Sequence, residues 1–96
     1  MTTSVTGVNL TLRQDQQNYL NKKLERIKYA DDLIIDLSIK VKHEENKIFI
    51  DATFNFRWGV SAHVSADDKD FEAAVNKLMD TLDQKVKKEK DKVQQR

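Results

Sequence analysis

Cysteine and proline are both absent from the 96 residues, and glycine occurs only twice, at Gly7 and Gly59. Without cysteine the chain has neither disulfides nor thiolate metal sites, which fits a reducing compartment. With no proline and so little glycine it has few breakers, so most of its length should lie in regular structure. No apolar run approaches the roughly 20 residues that span a bilayer. The opening residues, Met1 to Gly7, carry neither the basic nor the apolar region of a secretory signal. These absences predict a cytoplasmic location and no membrane partner. An excess of charge of one sign is missing too: 17 lysines and arginines stand against 16 carboxylates, for a net charge of +1.

That near-balance hides an uneven distribution. Lys85 to Arg96 holds six cations against two anions, about +4, which leaves residues 1–84 at −3. Lys85, Lys88, Lys92 and Arg96 recur at a spacing that aligns them along one stripe of a helix. A basic stripe on an otherwise acidic domain concentrates positive potential where a polyanion can dock. A solvated helix end also collects lysines, because cations favour the C-terminal pole of the helix dipole. That effect accounts for one or two cations, not for six.

The apolar pattern gives an order of elements. A strand is predicted around Thr3–Leu10, then a helix of roughly fifteen residues with Leu20, Leu24 and Ile27 on one face. Its start is open, since Thr11 with Gln14 can form a capping box and Asp15 suits a first turn. After Asp31-Asp32, the residues Leu33, Ile35, Leu37, Ile39 and Val41 alternate with Ile34, Asp36, Ser38, Lys40 and Lys42, the period of a strand. Glu44-Glu45-Asn46 is a turn, and Ile48, Ile50, Ala52, Phe54 and Phe56 share one face of the next strand. Arg57-Trp58-Gly59 make a further turn before Val60, Ala62, Val64 and Ala66. Asp67, Asp68 and Asp70 mark the start of a last helix that carries Phe71, Val75, Leu78, Leu82 and Val86. Past Val86 the apolar stripe weakens at Lys90, so the final turns should project beyond the sheet. The expected fold class is α+β in the order β-α-β-β-β-α, with two helices packed on one face of a four-stranded, mainly antiparallel sheet. Residues 1–96 should form one domain with a basic helical tail over about residues 85–96.

Catalytic patterns are also missing. There are two histidines, His43 and His63, and no zinc-protease, nucleophile-elbow, phosphate-loop or dinucleotide motif. His63 lies on the strand face opposite Ala62 and Val64, and His43 lies beside a turn, so both read as surface residues. The pairs Asp31-Asp32, Glu44-Glu45 and Asp67-Asp68 fall at turns and helix ends, where solvation and capping explain them, and none has calcium-loop spacing. The chain is therefore expected not to be an enzyme and to need no metal or cofactor. Phe54, Phe56 and Phe71 fit a core. Phe49 and Trp58 point away from the helices or to a turn, and could stack on a base or merely cover the sheet. The terminal lysines suit phosphate contacts, which give affinity without sequence readout. Lys22, Lys23 and Arg26 on the first helix add to the same field if the helices lie side by side. Lysine outnumbers arginine in the tail, which favours backbone and shape recognition of folded RNA over reading of bases.

Three segments carry a likeness to a known family. Asp51-Ala52-Thr53-Phe54, then VSADDKDFEAAVN from Val64 to Asn76, then LDQKVKKEKDK from Leu82 to Lys92 resemble the ribosome hibernation-promoting and ribosome-associated inhibitor proteins. Thr6-Gly7 and the Lys23-Leu24 pair with Arg26 extend the likeness over essentially the whole chain. The resemblance implies a fold like that of double-stranded-RNA-binding domains. It also implies binding to the small ribosomal subunit and its rRNA, in the channel used by mRNA and by tRNA at the A and P sites. Translation is then inhibited by steric occupation that keeps ribosomes idle, with no small-molecule substrate. Matching positions for RNA-facing cations are Lys23, Arg26, Lys85, Lys87, Lys88, Lys90 and Lys92, to which Lys22 and Arg96 are added by proximity.

The chain departs from the family pattern at several places. Gly7-Val8-Asn9 stands where Gly-Arg-Asn or Gly-Asn-Asn is usual, Glu72 replaces an aromatic, Asn76 an aspartate and Arg13 an N-cap threonine. The turn at Arg57-Trp58-Gly59 looks one residue longer. Ending after its last helix, the chain resembles the short type and is expected to be monomeric when free. Two other readings stay open. One is a general double-stranded-RNA-binding module, which takes any duplex of about 16 base pairs. The other is a protein-interaction domain that binds an acidic partner through its terminal helix.

Overall fold

The computed structural model describes the backbone over residues 1–94 and the side chains over residues 1–92. An uncharged, largely β-branched opening forms strand β1 (Thr2–Val8), two residues short of the predicted end. The chain then folds back tightly: a Cβ on Gly7 would lie 2.2 Å from the Leu10 carbonyl oxygen, and Asn9 adopts φ 58°. Helix α1 (Gln14–Leu24) follows, with Arg13 as its N-cap. Of the two candidate starts, the Thr11–Gln14 capping box is not formed, and Asp15 lies in the first turn. Instead the Gln16 side-chain oxygen accepts from the Arg13 backbone N–H at 3.0 Å. This is half of a capping box, since a guanidinium has no acceptor to return. The chain then tightens into a 3-10 segment over Glu25–Ala30, which buries Ile27 and Ala30.

Strand β2 (Ile34–Glu44) departs from simple alternation at its start. Its register with the next strand slips between Ile34 and Asp36, which oppose the adjacent residues Phe56 and Asn55. The bulge leaves Ile35 unpaired and 53% exposed, whereas Ile34, Leu37, Ile39 and Val41 are buried. The apolar row read through Leu33 and Ile35 is thus broken there. A two-residue turn at Glu45 (φ 47°) and Asn46 (φ 66°) leads into β3 (Lys47–Phe56), a geometry that suits the twist of a hairpin. The turn over Arg57–Val60 uses Gly59 at φ 85° and leads to β4 (Ser61–Asp68). Helix α2 (Phe71–Gln94) starts where the Asp70 carboxylate accepts from the Ala73 N–H at 3.1 Å.

The sheet order is β1-β2-β3-β4, with β1 parallel to β2 and the other pairs antiparallel. The α+β class and the β-α-β-β-β-α order are as expected. Leu20 and Ile27 from the first helical stretch meet Leu78, Leu82 and Val86 from α2 over the buried row Leu37, Ile39, Ile50, Phe54 and Phe56. Ala52 and Ala62 are buried in the sheet beneath the helices. Trp58 stacks on Phe56 at 4.7 Å between centroids and so closes the end of the core. Phe49 is half-buried on the outer sheet face, in register between Lys42 and Asp67.

Because β1 and β4 run in the same direction, the helices that follow them also run parallel, both returning toward the β3–β4 turn. At 24 residues α2 is about 36 Å long. The molecule accordingly measures 45 × 20 × 19 Å.

Candidate nucleic-acid interface

Helical spacing divides the surface of α2 into two flanks. Asn76, Asp80, Asp83, Lys87 and Lys90 recur three or four residues apart and form one row. This row faces α1 and the 3-10 segment. The Tyr19 hydroxyl donates to Asn76 at 3.2 Å, and Arg26 pairs with Asp80 at 2.5 Å and Asp83 at 3.4 Å. Lys77, Thr81, Lys85, Lys88 and Lys92 form the second row. It faces the β4 side, where Lys77 pairs with Asp68 at 2.8 Å.

Lys85, Lys88 and Lys92 thus share one row, as the helical stripe read from the sequence requires, while Lys87 and Lys90 lie on the opposite flank. Lys85, Lys88 and Lys92 are turned away from α1, so Lys22, Lys23 and Arg26 lie beside the other flank. Arg26 belongs with Lys87 and Lys90 instead. Lys22 is exposed one turn further back along α1, and the Lys23 ammonium lies 5.3 Å from the Tyr19 ring centroid. Arg96 lies outside the described residues.

Each flank has its own internal anion. On the β4 flank Glu89, 7% exposed, receives Lys85 and Lys92 at 3.3 Å each. Burial pushes the Glu89 carboxyl up, but the hydrogen bonds from the two lysines outweigh it and the net displacement is downward. On the α1 flank Asp83, also 7% exposed, accepts from the Tyr29 hydroxyl and pairs with Arg26 and with Lys87 at 3.2 Å. The Tyr29 hydrogen bond, aided by Lys87 and Arg26 and opposed by burial, holds the Asp83 carboxyl below the usual range. Burial first, and then the Asp83 carboxylate, raises the Tyr29 phenol well above its ordinary value. Among the described residues, Lys88 and Lys90 have no carboxylate within 4.0 Å.

The arrangement can hold polyanions on two flanks of α2. The described residues contain no group of three or more His, Cys, Asp or Glu side chains placed to hold a metal ion. His63 pairs with Asp51 at 3.2 Å on the exposed sheet face, away from the helices.

A model of the sigma 54 modulation protein / S30EA ribosomal protein family matches residues 3–94. The chain belongs to this family. Among similar S30EA proteins is the ribosome hibernation promoting factor of Pseudomonas putida, 29% identical over 94 residues, which cover 98% of this chain and 91% of the relative. The Escherichia coli K12 protein of the same name is 28% identical over 95 residues, 99% of each chain. A ribosomal subunit interface protein from Coxiella burnetii superposes with a TM-score of 0.86 at 26% identity, covering 94% of this chain and 98% of that one. The N-terminal domain of Thermus thermophilus Protein Y shares the fold, with a TM-score of 0.79, 24% identity and coverage of 92% and 98%.

Within this S30EA chain, sequence reasoning missed Tyr29, Asp83 and Glu89. The first two are 54 positions apart and meet only because α1 and α2 run parallel. Glu89 could have been found, since Lys85 and Lys92 stand four before and three after it. Arg57 is a further exposed cation in the β3–β4 turn, at the end of the sheet toward which α2 runs.

Proposed function

We propose that this chain is a ribosome hibernation factor: it binds rRNA of the small ribosomal subunit, occupies the channel used by mRNA and by tRNA at the A and P sites, and keeps ribosomes idle. The names of the relatives support the ribosomal part of this reading. The observation that carries the mode of binding is the end of α2, whose cations leave on two opposite flanks. A helix of this kind inserts between two phosphate backbones, with Lys85, Lys88 and Lys92 toward one and Lys87 and Lys90 toward the other. Lys22 and Lys23 act at longer range. Arg26, already held by Asp80 and Asp83, mainly fixes the α1 side of the surface. Inhibition is then steric and electrostatic, and no step requires catalysis. The protein acts where ribosomes are, in the cytoplasm.

Two charge-reversal variants test this mode. Lys85, Lys88 and Lys92 changed together to Glu, and separately Lys87 and Lys90 changed to Glu, should each weaken binding to purified small subunits. Unchanged binding of either variant would remove insertion between two backbones. An arbitrary RNA duplex that competes as well as the subunit would point to a general duplex-binding module instead.

A further inference from the structure

Beside the tail, Arg26, Tyr29, Asp83, Lys87, Lys90 and Asp91 line an open groove of about 690 Å³. This volume is within the roughly 300–1,000 Å³ typical of small-molecule sites. Its composition is unlike the rest of the basic surface. Tyr29 is 45% exposed although its hydroxyl is fastened to Asp83. The anchor fixes the ring, so that an aromatic side chain stands at a solvent-open groove instead of folding into the core. Asp83 also holds Arg26 and Lys87, which places two cations at the carboxylate that anchors the ring. Lys90 and Asp91 have no ion-pair partner among the described residues.

We infer that this groove is a subsite for one unpaired nucleotide of RNA, with the base stacked on Tyr29 and the adjoining phosphates held by Lys87 and Lys90. Phosphate alone needs only the lysines; the fixed ring adds a platform that a base can use and a phosphate cannot. Asp91, as an acceptor, suits the N–H groups of a base edge and disfavours a second phosphate at that position. The inference rests on the RNA-binding reading above and sharpens it, since a continuous duplex cannot lend a stacked base to the groove. The tail then meets RNA at a bulge, loop or single-stranded end.

The test compares a mixed-sequence RNA hexanucleotide with its abasic counterpart, which has the same phosphates and no bases. Binding to the full-length protein is followed by anisotropy and by the Tyr29 ring signals in NMR. The wild type should bind the intact hexanucleotide about tenfold or more tighter than the abasic one, given the usual strength of base–aromatic stacking. Tyr29→Leu should bring that ratio close to one, and Tyr29→Phe, which keeps the ring but loses its anchor to Asp83, should fall between the two. Equal affinity of the wild type for the two oligonucleotides, an unchanged ratio in Tyr29→Leu, or binding of neither oligonucleotide would overturn the subsite. Co-sedimentation of the wild type with small subunits is scored separately. Retention there with a flat hexanucleotide ratio removes the subsite alone, whereas its loss removes the ribosomal reading.

Discussion

Replacing Glu89 with glutamine should tighten binding to RNA. This carboxylate lies between Lys85 and Lys92 at 3.3 Å from each and offsets part of their charge. With Lys88, the β4 flank of the tail carries a net +2, which Glu89→Gln raises to +3. Each phosphate neutralised adds about 0.7–0.9 to the slope of log K against log salt. One released cation should steepen the slope by that amount, and at 0.1 M salt binding should tighten on the order of five- to eightfold. The lysines are exposed at their ends, so the lost pairs cost little stability, and the melting temperature should fall by no more than roughly 2–6 °C. The assay is anisotropy of a labelled rRNA fragment across 50–200 mM salt (about the range over which such contacts are read), with helicity checked by circular dichroism. Weaker binding by a variant of wild-type helicity would refute the reasoning, because Glu89 would then be orienting the lysines and not merely neutralising them.

Other consequences follow from the packing. Asp83→Asn should cost about 1–2 kcal/mol at neutral pH, since it weakens a hydrogen bond to a charged group that joins the 3-10 segment to α2. The Asp83 carboxyl is depressed in the folded protein, so its stabilisation is present above the ordinary range near pH 4 and lost as pH falls through the depressed value. Urea melts below about pH 4 should therefore show a flatter acid limb for Asp83→Asn than for the wild type. An equal acid dependence would contradict the assignment. In the same variant the Tyr29 phenol should ionise closer to its ordinary value near 10, read by ultraviolet titration. Gly7→Ala places a Cβ 2.2 Å from a backbone carbonyl oxygen and should lose roughly 1–3 kcal/mol in urea unfolding; an unchanged midpoint would remove the close approach. The bulge predicts unequal neighbours: Ile35→Thr should lie within about 0.5 kcal/mol of wild type, and Leu37→Ala should cost about 2–5 kcal/mol.

Elements with a strong period were readable from the residues alone. Ile48 to Phe56 and Phe71 to Val86 repeat their apolar positions at two and at three or four, and Asp70 caps where an aspartate should. The bulge at Ile35 was not readable, because an isoleucine on either face leaves the same alternating letters. The α1 start stayed open between two candidates because Gln16 caps a backbone N–H, and almost any residue at position 13 supplies that donor; Asp15 does lie in the first turn. For the interface, the tail lysines were visible as a local excess of charge. Lys85, Lys88 and Lys92 were visible as one stripe as well; that Lys87 and Lys90 face the first helical stretch was not, since it depends on which side of α2 receives α1. That side is set by the parallel pairing of β1 with β2, and TTSVTGV carries no pattern that announces parallel pairing.

Co-sedimentation of the purified protein with purified small ribosomal subunits, over a salt series and with duplex RNA as competitor, tests the central claim most directly. Retention on subunits is expected, with a steep loss as salt rises and little displacement by the duplex. Absence of binding at low salt would contradict it, and would leave the basic end of α2 as a solvated helix terminus.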